Sequence, residues 1–166
     1  AMEEDNLMGI PLAVLPPHVK ASLDNPLALE IAVAADAIAN VFGASAAHIM
    51  AHIKVRSGVR RVRLAPGTDA AERRISVFGA VRPLLEAHRL LHVALHGGEP
   101  ERLSANLLLP SRLAGVVIGK GGETVREISR LSGAAVGLDR APATVAEAPG
   151  GVQERMLRID GAMAQV

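Results

Sequence analysis

The 166-residue sequence contains no cysteine, tryptophan or tyrosine, and only two phenylalanines. Without thiols there is no disulfide, no cysteine nucleophile and no cysteine-ligated zinc. No apolar run approaches the ~20 residues needed to cross a membrane, and no signal peptide is visible, so an intracellular protein, cytoplasmic or nuclear, is expected. Charge of one sign is also lacking. The formal net charge is +1, but residues 1–26 are acidic whereas residues 27–99 and 102–166 are each mildly basic. That balance permits a nucleic-acid partner without demanding one. No Ser/His/Asp arrangement and no paired carboxylates at suggestive spacing appear, so the sequence reads as a binding protein and not an enzyme, with no cofactor. His88, His92 and His96 recur every four residues, as do His48 and His52. Imidazoles at i and i+4 can ligate zinc, but there is no HExxH glutamate and no nearby carboxylate cluster. A polar stripe or an inter-module contact is expected there, and no metal site.

The most informative stretch is Val116-Val117-Ile118-Gly119-Lys120-Gly121-Gly122-Glu123-Thr124-Val125. An apolar run ends in a Gly-Lys-Gly-Gly loop, and a helical pattern follows at once. Gly121 and Gly122 remove side chains that would hold another backbone at a distance, Lys120 supplies a cation, and the helix start supplies free N–H groups and a positive dipole end. A Walker A loop does not fit, because Gly115 to Gly119 is one residue short and Gly121 stands where a hydroxyl belongs. A dinucleotide fingerprint does not fit either, because its third glycine is missing. A GxxG clamp on a single-stranded nucleic-acid backbone does fit.

Further motifs lie on both sides of that loop. They are Leu107-Leu108-Leu109-Pro110, then Ile128-Ser129-Arg130-Leu131-Ser132-Gly133-Ala134, then Glu154-Arg155-Met156-Leu157-Arg158-Ile159-Asp160-Gly161. In order and spacing this segment resembles a type I KH domain from Leu103 to the end, and most of all the poly(C)-binding protein group with its plant and fungal relatives. The resemblance implies an α+β fold of β-α-α-β-β-α order, a three-stranded antiparallel sheet backed by helices. It also implies an RNA groove in which Gly119, Lys120, Gly121 and Gly122 hold the backbone. Ala114, Gly115, Val116 and Ile118 would line one wall, Val125 and Arg126 the second helix, and Val136 and Leu138 the strand. Arg155 corresponds to an arginine that reads a pyrimidine edge in that group. A second such arginine falls at Ser129, which cannot do that job, although Arg130 is its neighbour. This mode needs no aromatic stacking, so the scarcity of rings disfavours an RRM or OB platform but not this one. Val117, Ile128 and Leu131 are expected in the core.

The first half reads as a diverged twin of the second. Leu29 to Val33 suggests a strand, Asp36 to Phe42 a helix, Ala47 to Arg56 a second helix closed by Ser57-Gly58, and Val59–Leu64 and Glu72–Gly79 two strands. Ala80 to Leu95 suggests a closing helix with an apolar face of Val81, Leu84, Leu85, Leu91 and Leu95. Gly43-Ala44-Ser45-Ala46 occupies the clamp position without the lysine or the last glycine, so this copy is degenerate. Its Arg60, Arg61, Arg63, Arg73 and Arg74, expected to be exposed, suit phosphate or, more simply, a protein partner. The expected organisation is a leader at residues 1–26, a first KH module at 27–96, a linker at 97–102 and a second KH module at 103–166. The last helix is only begun at Ala162–Val166, and residues 10–15 are a candidate to take its place. Modules of about 65 residues bury only ~60% of their unfolded surface, so packing between the two should matter. The expected function is binding of single-stranded RNA, with single-stranded DNA as the lesser possibility, in post-transcriptional regulation; the alternative is a protein-binding scaffold of a ribonucleoprotein.

Overall fold

The computed structural model describes residues 6–7, 10–11, 17, 25–65, 71–142, 153–162 and 166. Asn6–Leu7 and Ile10–Pro11 pair as a short antiparallel ladder. Beyond these the described elements run β-α-α-β-β-α in the first half and β-α-α-β-β in the second. In the first half, β1 (Leu27–Ala34) leads into α1 (Ala35–Ala37), which widens to a π-helical stretch at Ile38–Phe42 and a 3-10 turn at Gly43–Ser45. Then come α2 (Ala46–Ser57), β2 (Arg61–Leu64), β3 (Glu72–Gly79) and α3 (Val81–His96). The second half has β4 (Arg102–Pro110), α4 (Ser111–Ile118), a 3-10 turn at Lys120–Gly122, α5 (Glu123–Ser132), β5 (Ala135–Pro142) and β6 (Glu154–Ala162).

The Ser-Gly signal works identically in both halves. The Ser57 hydroxyl donates to the Ile53 carbonyl at 2.6 Å, and Ser132 donates to Ile128 at 2.7 Å. The following glycines, Gly58 and Gly133, take left-handed φ of 80° and 77°, which ends α2 and α5. Each serine oxygen also accepts the amide two residues on, Val59 or Ala134, and so aims the chain into the next strand.

The six long strands form one antiparallel sheet in the order β2-β3-β1-β4-β6-β5. The sequence suggests two separate three-stranded sheets; instead the halves join edge to edge through their first strands. Glu30 pairs with Leu108, Ile31 with Leu107, and Ala32 with Asn106. The physical reason is that each first strand would otherwise present an unpaired edge, and the short linker keeps those edges together. Ile31, Val33, Ile75 and Val77 point to one face and pack with Ile38, Phe42, Met50, Ile53, Leu84 and Leu91, all buried. Leu107 of the second half packs against this same core.

The other face of the junction holds Ala32, Leu108 and Met156, also buried. Beside them lies Arg74, only 3% exposed. Its Nη1 donates to Glu154 Oε1 at 2.8 Å and to Glu30 Oε2 at 3.3 Å, and its Nη2 donates to Glu154 Oε2. Burial pulls the guanidinium toward neutrality, but the hydrogen bonds and charges of Glu154 and then Glu30 outweigh it and hold its pKa above the usual range. Arg74 is therefore not the exposed cation the Arg73-Arg74 run suggests. It is a buried tie between the third strands of the two halves.

The expected closing helix of the second half lies mostly outside the described residues, as do residues 12–15 of the leader. Ile128 and Leu131, expected in the core, are 40% and 66% exposed. In the first half α3 supplies the cover; among the described residues no helix follows β6 to do the same. None of the described helices is long and apolar enough to cross a membrane.

Candidate nucleic-acid interface

The Gly-Lys-Gly-Gly loop joins α4 to α5. Gly119 takes φ 73° and ψ 176°, Gly121 φ 62° and ψ 21°, and Gly122 φ 80° and ψ 14°. Three positive φ values in four residues are cheap only for glycine. The three differ in what surrounds them. A Cβ at Gly119 would lie 2.2 Å from Thr124 Oγ1 and 2.8 Å from the Thr124 backbone nitrogen, so that site is closed to any side chain. At Gly121 a Cβ would meet nothing within 4 Å, and the loop there is open to an approaching ligand. At Gly122 it would come within 3.3 Å of Arg126 Nη1, which places the Arg126 guanidinium beside the loop as a second cation with the exposed Lys120.

The loop closes on itself through Gly122 N–H to the Gly119 carbonyl at 3.2 Å and Glu123 N–H to the Lys120 carbonyl. No side chain caps the start of α5. Its first-turn amides and dipole therefore face the loop without a protein acceptor from a cap, in the arrangement that suits a phosphate.

Beside the loop, Val116 is 70% exposed, Gly115 is exposed and Ile118 half-buried, whereas Ala114 is buried beneath them. Val117 is half-buried. Val125 on α5 and Val136 and Leu138 on β5 are half-buried; register puts Leu138 opposite Leu157 and Val136 opposite Ile159.

Arg155 is half-buried, and its Nε donates to the Asp139 carbonyl on the neighbouring strand at 2.6 Å. Ser129 has a different part from a base reader: its hydroxyl accepts the Val136 amide at 3.3 Å and ties α5 to the sheet edge. Arg130 is held on the helix surface by Glu127, with Nε to Oε2 at 2.9 Å.

The equivalent loop in the first half has another shape. Gly43 has φ 51° and ψ −132°, but Ala46 is already right-handed at φ −53° and ψ −46°, so the 3-10 turn runs straight into α2. It has no left-handed final residue and no lysine. Arg60, Arg61 and Arg63 are exposed, but Arg73 is half-buried and its Nη2 donates to the Ala65 carbonyl at 2.5 Å.

The histidine stripe is largely interior. His88 and His92 are 9% and 5% exposed, their Nε2 atoms lie 3.0 Å apart, and the rings meet edge to face. Burial pushes His88 down to about 4. Burial, and then the charges of His88 and His96, push His92 down to about 3. Among the described residues no three His, Cys, Asp or Glu are grouped to hold a metal ion.

Comparison with known proteins finds that residues 104–166 match the KH domain family. The chain is 38% identical over 68 residues to the human RNA-binding protein Nova-2, covering 40% of this chain and 13% of that protein. It is 26% identical over 144 residues to the human Tudor and KH domain-containing protein, covering 86% of this chain and 24% of that protein. The chain thus spans no more than a quarter of the length of these relatives. Among solved structures, a chain from the a/eIF2alpha–aDim2p–rRNA complex of Pyrococcus horikoshii OT3 matches with 16% identity and a TM-score of 0.31, covering 85% of this chain and 79% of that one. A KH domain is present in the second half, and the mixed α+β architecture with its six-stranded antiparallel sheet is consistent with a KH fold.

Proposed function

We propose that residues 103–166 form a KH module that binds single-stranded RNA, and that residues 27–96 form a second, degenerate KH module fused to it through the shared sheet. The observation that carries this reading is the Gly119–Gly122 loop, with three positive-φ glycines, an exposed lysine and a helix start that no side chain caps. In the proposed mechanism the loop amides and Lys120 grip the phosphodiester backbone, and Arg126 adds a second positive charge. Bases lie flat against Val116, Ile118, Val125, Val136 and Leu138, and Arg155 offers donors to a base edge at the β5 end. The similarity to the human RNA-binding protein Nova-2 over 68 residues supports RNA as the ligand. The 144-residue similarity to the Tudor and KH domain-containing protein runs across both halves and supports a KH origin for the first. Single-stranded DNA is the lesser ligand, kinship with the poly(C)-binding group and a post-transcriptional role follow from the same reading, and no catalysis is proposed.

The test is a fluorescence-anisotropy titration of a random single-stranded RNA pool, repeated with the same pool annealed to its complement. The single strands should bind and the duplex should compete poorly, because a groove that takes flattened bases needs them unpaired. Equal binding to both forms would reduce the site to a non-specific basic patch.

A further inference from the structure

Three consecutive residues at the start of β6 each hold a different part of the protein. The Gln153 carbonyl accepts the amide of Ser111, the first residue of α4, at 2.9 Å. The Glu154 carboxylate is gripped by Arg74 of the first half, with Nη1 to Oε1 at 2.8 Å and Nη2 to Oε2. Arg155 Nε donates to the Asp139 carbonyl of β5. Register fixes the faces. Arg155 stands opposite Leu109, on the face that Leu107 turns toward the first-half core, whereas Glu154 lies on the other face with Leu108 and Met156. Arg74 is therefore across the sheet from Arg155 and acts on it through the β6 backbone.

The first half repeats two of these three contacts. The amide of Ala35, the first residue of α1, donates to the Ala71 carbonyl at 2.8 Å, and Arg73 Nη2 donates to the Ala65 carbonyl. The third has no such mate: matching Glu72-Arg73-Arg74 to Glu154-Arg155-Met156 puts a thioether where the guanidinium would be. The tie runs one way, from the half with the degenerate loop to the half with the Gly-Lys-Gly-Gly loop. Glu30 holds its other side, since Oε2 accepts from Arg74 Nη1 at 3.3 Å and from Ser76 Oγ at 2.5 Å. A guanidinium bound by both oxygens of a carboxylate fixes direction as well as distance. Strand ends are where local opening costs least, so an anchor on the first residue of β6 acts where Arg155 is most easily displaced.

We propose that Arg74 is a positioning residue for Arg155: by gripping Glu154 from the opposite face of the sheet, the first half fixes the start of β6 and with it the base-reading guanidinium. The inference rests on the RNA-binding reading above and on its assignment of Arg155 to a base edge. It gives the first half a part in RNA recognition that needs no RNA contact of its own. The loop at Gly119–Gly122 lies at the far end of α4 from the Ser111–Gln153 bond, so the tie governs base selection and not the grip on phosphate.

The test compares the full chain with an Arg74→Met, Glu154→Leu variant, which removes one charge of each sign and leaves the net charge unchanged. Fluorescein-labelled RNA decamers of A, of C and of U are titrated against both, and against Arg155→Ala and Ile75→Val, at a temperature where melts show every protein folded. The wild-type affinities should spread at least tenfold between best and worst decamer. The spread should narrow at least fivefold in the tie variant and in Arg155→Ala. The slope of log affinity against log salt should stay at its wild-type value in the tie variant, because the phosphate contacts are intact. Ile75→Val loosens the first-half core without touching the tie and should keep the wild-type spread. A second arm uses no RNA: exchange of the Arg155 Nε–H with solvent, followed by NMR, should be at least fivefold faster in the tie variant. The proposal is overturned by unchanged Nε–H exchange, by a wild type that binds all three decamers equally, by a spread that the tie variant retains, or by an equal loss of spread in Ile75→Val. If the wild type binds none of the decamers, the RNA reading itself falls, and the exchange arm alone decides whether Arg74 orders Arg155.

Discussion

Replacing His88 and His92 together by leucine should remove most of the acid sensitivity of this fold between pH 7.5 and pH 5. An ordinary imidazole titrates near 6.5, whereas in the folded chain burial puts His88 at about 4 and His92 at about 3. A base with a depressed folded pKa binds fewer protons folded than unfolded. Its contribution is therefore fully present above pH ~6.5 and is lost as pH falls below that value, until the folded pKa is reached. At pH 5 the unfolded chain has gained nearly one proton at each ring and the folded chain almost none. Over about 1.5 pH units that is a loss of about 2 kcal/mol per ring, or about 4 kcal/mol for the pair. A domain of ordinary stability has only about 5–15 kcal/mol in all. Urea denaturation of both proteins at the two pH values gives the comparison directly. The wild type should lose about 4 kcal/mol more than the His88→Leu, His92→Leu variant. At pH 7.5 the variant should be near wild-type stability, because leucine fills the space and removes the unpaired His92 Nδ1. If the two proteins lose the same amount, the rings do not titrate as their burial requires and the reasoning fails.

Three other substitutions probe separate parts of the account. Gly119→Ala should cost at least about 2 kcal/mol, since the left-handed φ alone costs about 1–2 and the new methyl also meets the Thr124 backbone; the melting temperature should fall by about 4–8 °C. Glu154→Leu should cost about 3–5 kcal/mol by leaving Arg74 without its main buried partner, and adding Arg74→Met should recover part of it, read as a shift in the urea midpoint. Lys120→Ala should weaken RNA binding and lower the slope of log affinity against log salt by about 0.7, the share of one phosphate contact on a single strand.

The local parts of this fold were written plainly in the chain. Both Ser-Gly pairs stop their helices, and Gly119–Gly122 builds a left-handed loop, because turns and caps depend on residues a few positions apart. The union of the two sheets was not, because pairing of Ile31 with Leu107 is set by which edges meet, and no short window records that. One trace existed: Ile31-Ala32-Val33 and Leu107-Leu108-Leu109 are apolar at successive positions, the pattern of strands covered on both faces. Arg74 was misread for the same reason. Within Arg73-Arg74 it looks like one of a pair of surface cations, and its partners Glu30 and Glu154 lie 44 and 80 residues away. At the candidate site, the glycine-built turn between α4 and α5 was legible from spacing. The tethering of Arg155 to Asp139 and of Ser129 to Val136 was not, since the first joins neighbouring strands and the second a helix to a strand, and only the fold brings each pair together.

The central claim is that the Gly119–Gly122 loop holds an RNA backbone, and a Gly121→Asp, Gly122→Asp variant tests it most directly. The structure favours this pair, because a side chain at 121 meets nothing and one at 122 meets only the flexible Arg126 guanidinium. Aspartate also tolerates left-handed φ better than most residues, so the strain should stay near 1–2 kcal/mol per site. Binding of a single-stranded RNA pool is measured for both proteins at one fixed salt concentration, with thermal melts alongside. The account predicts that affinity collapses while the variant still melts cooperatively as a folded protein. Undiminished binding by the folded variant, or no binding by the wild type, would contradict it.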